Sequence, residues 1–168
     1  HDTDIDFIFF NGPDHSLSLG LDFAKNLAEN LAVHGELAFQ KDGVTMDYTV
    51  DSTVSQTTEN QISGLLGLRY LNARDTTFIA EYYHNGAGYD DSRIFLPSLD
   101  RQRNPGKDYL YARISQKEPL EILYLTTWVS AVVNLHDHSF NLQPGLTWTP
   151  VTNLEINGRV GVPIGDAQ

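Results

Sequence analysis

The chain has 168 residues, with 22 acidic and 11 basic side chains and a formal net charge of −11. That length suits one domain with a sizeable core, while so acidic a balance argues against a nucleic-acid surface, whose affinity comes from Lys and Arg set against phosphates. With no cysteine, disulfides, thiolate zinc sites and cysteine nucleophiles are excluded together.

No stretch approaches 18 consecutive apolar residues, so no transmembrane helix is expected, but a spanning β-strand needs only about 9–11 residues that alternate apolar with polar. The opening His1-Asp2-Thr3-Asp4 lacks the basic and then apolar start of a signal peptide. The expectation is that a leader was removed or that this is an internal piece of something longer.

Period-2 alternation runs along the whole chain. An opening strand is predicted at 4–10, with Ile5, Phe7 and Phe9 opposing Asp4 and Asp6. The next, 16–23, sets Leu17, Leu19, Leu21 and Phe23 on one side and small or polar residues on the other, which only a strand can do. A hairpin turn is predicted over 25–30 around Lys25-Asn26, followed by a strand with Leu31, Val33, Gly35, Leu37 and Phe39 opposite Ala32, His34, Glu36, Ala38 and Gln40. Further strands are expected at 62–70, 77–83, 109–115, 123–136, 140–148 and 154–164, about nine in all. The row Leu123, Leu125, Val129, Ala131, Val133 and Leu135 is long enough to cross hydrocarbon. The connections alternate in character. Turns at 25–30, 72–75, 116–121 and 150–153 are short, whereas 42–60 and 85–108 read as long polar loops at the opposite end, shared with the short links 11–15 and 136–139.

Alternating strands, tight turns at one end, long loops at the other and aromatic residues near strand ends (Phe9, Phe39, Tyr70, Phe78, Tyr82, Phe140, Trp148) make residues 4–165 resemble a bacterial outer-membrane β-barrel of the porin-like type. The resemblance implies an all-β, antiparallel, up-and-down transmembrane barrel occupying 1–168 as one domain. Such chains usually have an even strand number and end on an aromatic residue. Nine strands and the ending Gly165-Asp166-Ala167-Gln168 instead suggest a partial barrel, such as the C-terminal portion of a larger one. The competing reading is a soluble β-barrel or sandwich binding protein, with the apolar face inward. Against it stand a polar face rich in Ser, Gly, Asn and Thr, and only four lysines (Lys25, Lys41, Lys107, Lys117), all in turns or loops.

If the apolar face meets lipid, the lumen receives Asp4, Asp6, Asp22, Glu36, Glu81 and Glu155 against Arg69, Arg113 and Arg159, with His34, Trp128, Ser130 and Asn134 on the same wall. Opposed charges along a watery lumen bias which ions enter, unless the side chains merely neutralise one another in a salt-bridge ladder. His136-Asp137-His138 lacks further ligands at metal-site spacing and reads as a polar hairpin tip. The stretch Asn85–Asp91 offers flexible glycines and two carboxylates but not the twelve-residue calcium-loop pattern. The stretch Arg93–Lys107, with Ile94, Phe95, Leu96 and Leu99, is apolar enough to fold inward as a constriction or to contact a partner. Neither Ser16 after His15 nor Ser139 after His138 makes a nucleophile beside its base, and no phosphate loop is present, so no enzyme, cofactor or metal is expected. The expected function is a mildly cation-preferring channel for ions or small polar solutes in the bacterial outer membrane. The alternative is a sheath around a partner protein in the lumen, such as an electron-transfer or export component.

Overall fold

The computed structural model describes residues 3–12, 15–48, 54–89 and 106–165. Ten strands follow in chain order: β1 Thr3–Gly12, β2 His15–Ala28, β3 Leu31–Tyr48, β4 Val54–Leu71, β5 Thr76–His84, β6 Asp108–Lys117, β7 Leu125–Asn134, β8 Phe140–Val151, β9 Leu154–Arg159 and β10 Val162–Ile164. They form one antiparallel up-and-down sheet in sequence order, in which both β9 and β10 pair with β8. The sheet is open, and β1 does not pair with the last strand.

β9 and β10 are two halves of one rail, since Arg159↔Gly145 and Val162↔Leu142 keep the same register along β8. The gap has a chemical cause. Val160 N–H donates to the Pro144 carbonyl at 3.0 Å, and proline has no N–H to return, so one rung is missing. The final strand expected at 154–164 is therefore present, but split.

Three boundaries depart from the sequence reading. The β2–β3 hairpin turns at Glu29-Asn30 rather than at Lys25-Asn26, because Lys25↔Val33 and Asn26↔Ala32 remain paired and the strands slip register only between Asn26 and Ala28. The expected loop 42–60 is largely a hairpin arm. After a register shift between Gln40 and Gly43, the ladder resumes from Gly43↔Glu59 to Tyr48↔Val54. The β-branched Val44, Thr45, Thr57 and Thr58 suit strands whether apolar or polar, and residues 49–53 lie outside the described residues. Finally, Leu123 and Tyr124 belong to a turn. A short 3-10 segment at Pro119–Glu121, with Glu118, Leu120, Glu121 and Tyr124 all at positive φ, delays β7 to Leu125. Of the 85–108 loop, 90–105 lie outside the described residues, including most of Arg93–Lys107 and the Asp90-Asp91 pair.

No apolar side chain among the described residues is buried, so a conventional core is missing. Directly paired residues share a face, and the register Ile5↔Phe23, Phe23↔Gly35, Gly35↔Leu66, Leu66↔Tyr82, Tyr82↔Leu110, Leu110↔Val133 and Val133↔Phe140 carries one apolar row across eight strands. Phe23 closes the one gap in it, lying so near Gly35 that a Cβ there would sit 2.5 Å from its ring. This apolar face is the exposed one: Phe7 is 81% accessible, Ile62 and Leu66 55% each. In β5 and β6, Phe78, Ala80, Tyr82, Leu110, Ala112 and Ile114 are exposed while Ile79, Glu81, Tyr83, Tyr111 and Arg113 between them are half-buried. In β5 and β6 the polar face, here the inner face, is the more shielded of the two.

Candidate functional site: the polar face of the sheet

All thirteen residues expected on the inner wall fall on this face. The row Asp6↔Asp22, Asp22↔Glu36, Glu36↔Leu65, Leu65↔Tyr83, Tyr83↔Tyr109 and Tyr109↔Asn134 lies between the apolar rows. Beside it run Asp4↔Ala24, Ala24↔His34, His34↔Gly67 and Gly67↔Glu81. A third row carries Arg69↔Ile79, Ile79↔Arg113 and Arg113↔Ser130. Trp128 and Arg159 both pair with Gly145, and Glu155 joins them through Asn157, whose Nδ2 donates to Glu155 Oε1 at 2.6 Å.

The charges are segregated at one side only, since beyond β3 Arg69 on β4, Glu81 on β5, Arg113 on β6 and Glu155 with Arg159 on β9 alternate in sign. Asp4, Asp6, Asp22 and Glu36 crowd onto β1–β3, where Asp6 faces Asp22 and Asp22 faces Glu36 directly, while the arginines stand on β4, β6 and β9. No salt-bridge ladder forms among the described residues. The inner-face contact is His34 Nε2 to Glu81 Oε1 at 3.2 Å, which crosses over Gly67, where a Cβ would sit 2.3 Å from the imidazole. A groove of about 380 Å³ opens on the acidic half, its walls including Ile8, Asp22, Glu36, Ala38, Leu65 and Tyr83. On the other half Arg113 lies over the Trp128 ring, 4.7 Å from its centroid, and Ser130 and Asn134 are 8% and 6% exposed.

One cluster was missed in the sequence. Asp108 opens β6 above the apolar band, at the base of the long loop, and its Oδ1 accepts from Tyr82 Oη at 2.5 Å and His84 Nδ1 at 2.7 Å, its Oδ2 from His136 Nε2 at 2.8 Å. Burial there pushes the acid toward neutrality, but the hydrogen bonds from Tyr82, His84 and His136 and the charge of His84 outweigh it, holding the carboxyl well below the usual carboxylate range. The signal was the placement of His84 and Asp108 at the two ends of one loop. His136 thus serves this cluster, while Asp137 Oδ1 accepts from Ser139. Among the described residues no trio of His, Cys, Asp or Glu is arranged to hold a metal ion.

Comparison with family models, with curated proteins and with solved structures finds no match to this chain.

Proposed function

We propose that this sheet is part of the wall of a porin-like β-barrel in a bacterial outer membrane, its apolar face in lipid and its polar face lining a water-filled passage for ions and small polar solutes. The supporting observation is the inversion of exposure. Soluble monomers rarely expose a contiguous apolar patch beyond a few hundred Å², whereas here large apolar side chains are exposed on every strand, and in β5 and β6 the polar ones between them are the shielded set. A spanning barrel requires that arrangement.

Six inner carboxylates against three arginines leave an excess of about three negative charges, acting over about 8 Å at physiological salt. Because the arginines lack ion-pair partners among the described residues, the charge stays available to passing ions. The channel is therefore mildly cation-preferring. Its reversal potential in a planar bilayer under a salt gradient is the test, using the full-length protein: cation selectivity that fades as salt rises and drops further in the Glu81→Gln, Glu155→Gln variant. An anion-selective potential, or no conductance at all, overturns this reading.

A further inference from the structure

The groove on the acidic half brings two chemistries within reach of one small molecule. Its floor is kept low by Gly20 and Ala38, which stand opposite each other on β2 and β3. On one side Ile8 closes on Gly20 so tightly that a Cβ there would sit 3.2 Å from its own. On the other side Leu65 and Tyr83 are cross-strand partners, and the Tyr83 ring is stacked on that of Tyr109, their centroids 6.4 Å apart. At the end nearer the tight turns Asp22 pairs with Glu36, and Glu36 in turn with Leu65. Glu36 is exposed and Asp22 half-buried. Neither has a side-chain hydrogen bond or ion pair among the described residues.

Carboxylates set directly opposite each other repel, and a cation between them removes that repulsion. A hydrated inorganic ion makes no use of an apolar wall, whereas an organic ammonium carries a body whose burial adds to the charge attraction. The volume of about 380 Å³ is that of a small-molecule site, in which apolar walls supply contact and a few polar groups fix orientation. We propose that this groove binds small organic monocations with an aromatic or similarly apolar body, the ammonium at Asp22 and Glu36 and the body laid over Leu65 against Tyr83. Neighbouring strands lie about 4.8 Å apart, so Glu36 to Tyr83 across Leu65 is about 10 Å, within the span of an arylalkyl ammonium. Tyr83, already fixed by Tyr109, offers that body a ring to pack on. The proposal rests on the inner face being open to water, as in the reading above, but not on conduction.

The full-length protein is titrated calorimetrically with phenethylammonium, methylammonium and phenethyl alcohol at constant ionic strength. Phenethylammonium binds saturably. It binds at least tenfold more tightly than methylammonium, which keeps the charge without the ring, and than phenethyl alcohol, which keeps the ring without the charge. The Asp22→Asn, Glu36→Gln variant relieves the like-charge pair and so does not threaten the fold, yet it weakens phenethylammonium at least tenfold and brings it level with the alcohol. Tyr83→Leu weakens phenethylammonium at least threefold and leaves methylammonium unchanged. Ala38→Leu, which raises the floor and spares both walls, gives the same loss independently of whether the Tyr83 variant folds. Equal affinity for methylammonium and phenethylammonium reveals an acidic surface that attracts any cation, and overturns the groove as a site. Equal affinity for phenethyl alcohol overturns the ammonium contact, and unchanged binding in the double variant does the same. Conductance without binding defeats the groove and leaves the channel standing. Binding without conductance does the reverse.

Discussion

β1–β3 and β6–β9 have the same alternation and nearly the same outer face, yet their inner faces are built on opposite terms. The first is open and acidic: Asp6, Asp22 and Glu36 stand side by side with no cation between them. The second is packed: Trp128 fills the space over Gly145, Arg113 covers Trp128, and Ser130 and Asn134 are buried. Period-2 patterning sets which face a residue takes, and leaves the chemistry of that face free to differ from one strand group to the next.

What the two regions share is tested by the largest effect. An arginine in either outer row, Val129→Arg in the packed half or Leu21→Arg in the open half, costs about 2–4 kcal/mol in a bilayer, the midplane penalty for barrels. A cysteine at 129 is protected from aqueous reagents while one at the exposed polar-face position 157 reacts. The opposite pattern reverses the faces in that half.

Asp108 bounds the packed region at its loop end. Asp108→Asn removes a charged acceptor of three hydrogen bonds and lowers stability by about 1.5–3 kcal/mol at neutral pH. Because the folded carboxyl titrates below its unfolded value of about 3.9, its contribution is complete above pH 5 and is lost as pH falls through the folded value. Urea midpoints measured from pH 7 downward show this loss in the parent and not in the variant.

Packing density separates the halves next. Gly145→Val drives a side chain into the Trp128 ring and costs about 1–3 kcal/mol. Gly20→Ala, whose Cβ meets Ile8 Cβ at 3.2 Å on an edge pair free to relax, costs less than about 1 kcal/mol. Equal losses in thermal unfolding would erase the contrast. The smallest effect has the opposite sign: Asp22→Asn relieves two like-charge cross-strand pairs and stabilises by about 0.2–1 kcal/mol.

Faces were legible because alternation is local: every expected inner residue, from Asp4 to Arg159, lies on one side of the sheet. Turn positions were less so. Lys25-Asn26 looks like a turn in isolation, yet cross-strand pairing to Val33 and Ala32 overrides that preference. In the arm 43–48 with 54–59, Val44, Met46 and Tyr48 do alternate, but Val44 and Met46 pair with polar Thr58 and Gln56, so the apolar period shows on one strand only. The start of β7 was hidden because positive φ at Glu118, Leu120 and Tyr124 carries no glycine signature. The Asp108 cluster and the Arg113–Trp128 stack depend on which strands become neighbours, which periodicity along one strand does not encode.

The rail split by Pro144 has a consequence in parity. Its two halves run antiparallel to β8, so they count as a single ninth strand, and in an up-and-down meander the first and ninth strands point the same way. Joined directly, β1 and this rail would form a parallel seam with slanted hydrogen bonds, unlike every other pair in the sheet. Left open in hydrocarbon, each edge exposes backbone groups at several kcal/mol apiece. An odd number of strands inserted between the two edges keeps every neighbour antiparallel. An even number, zero included, does not.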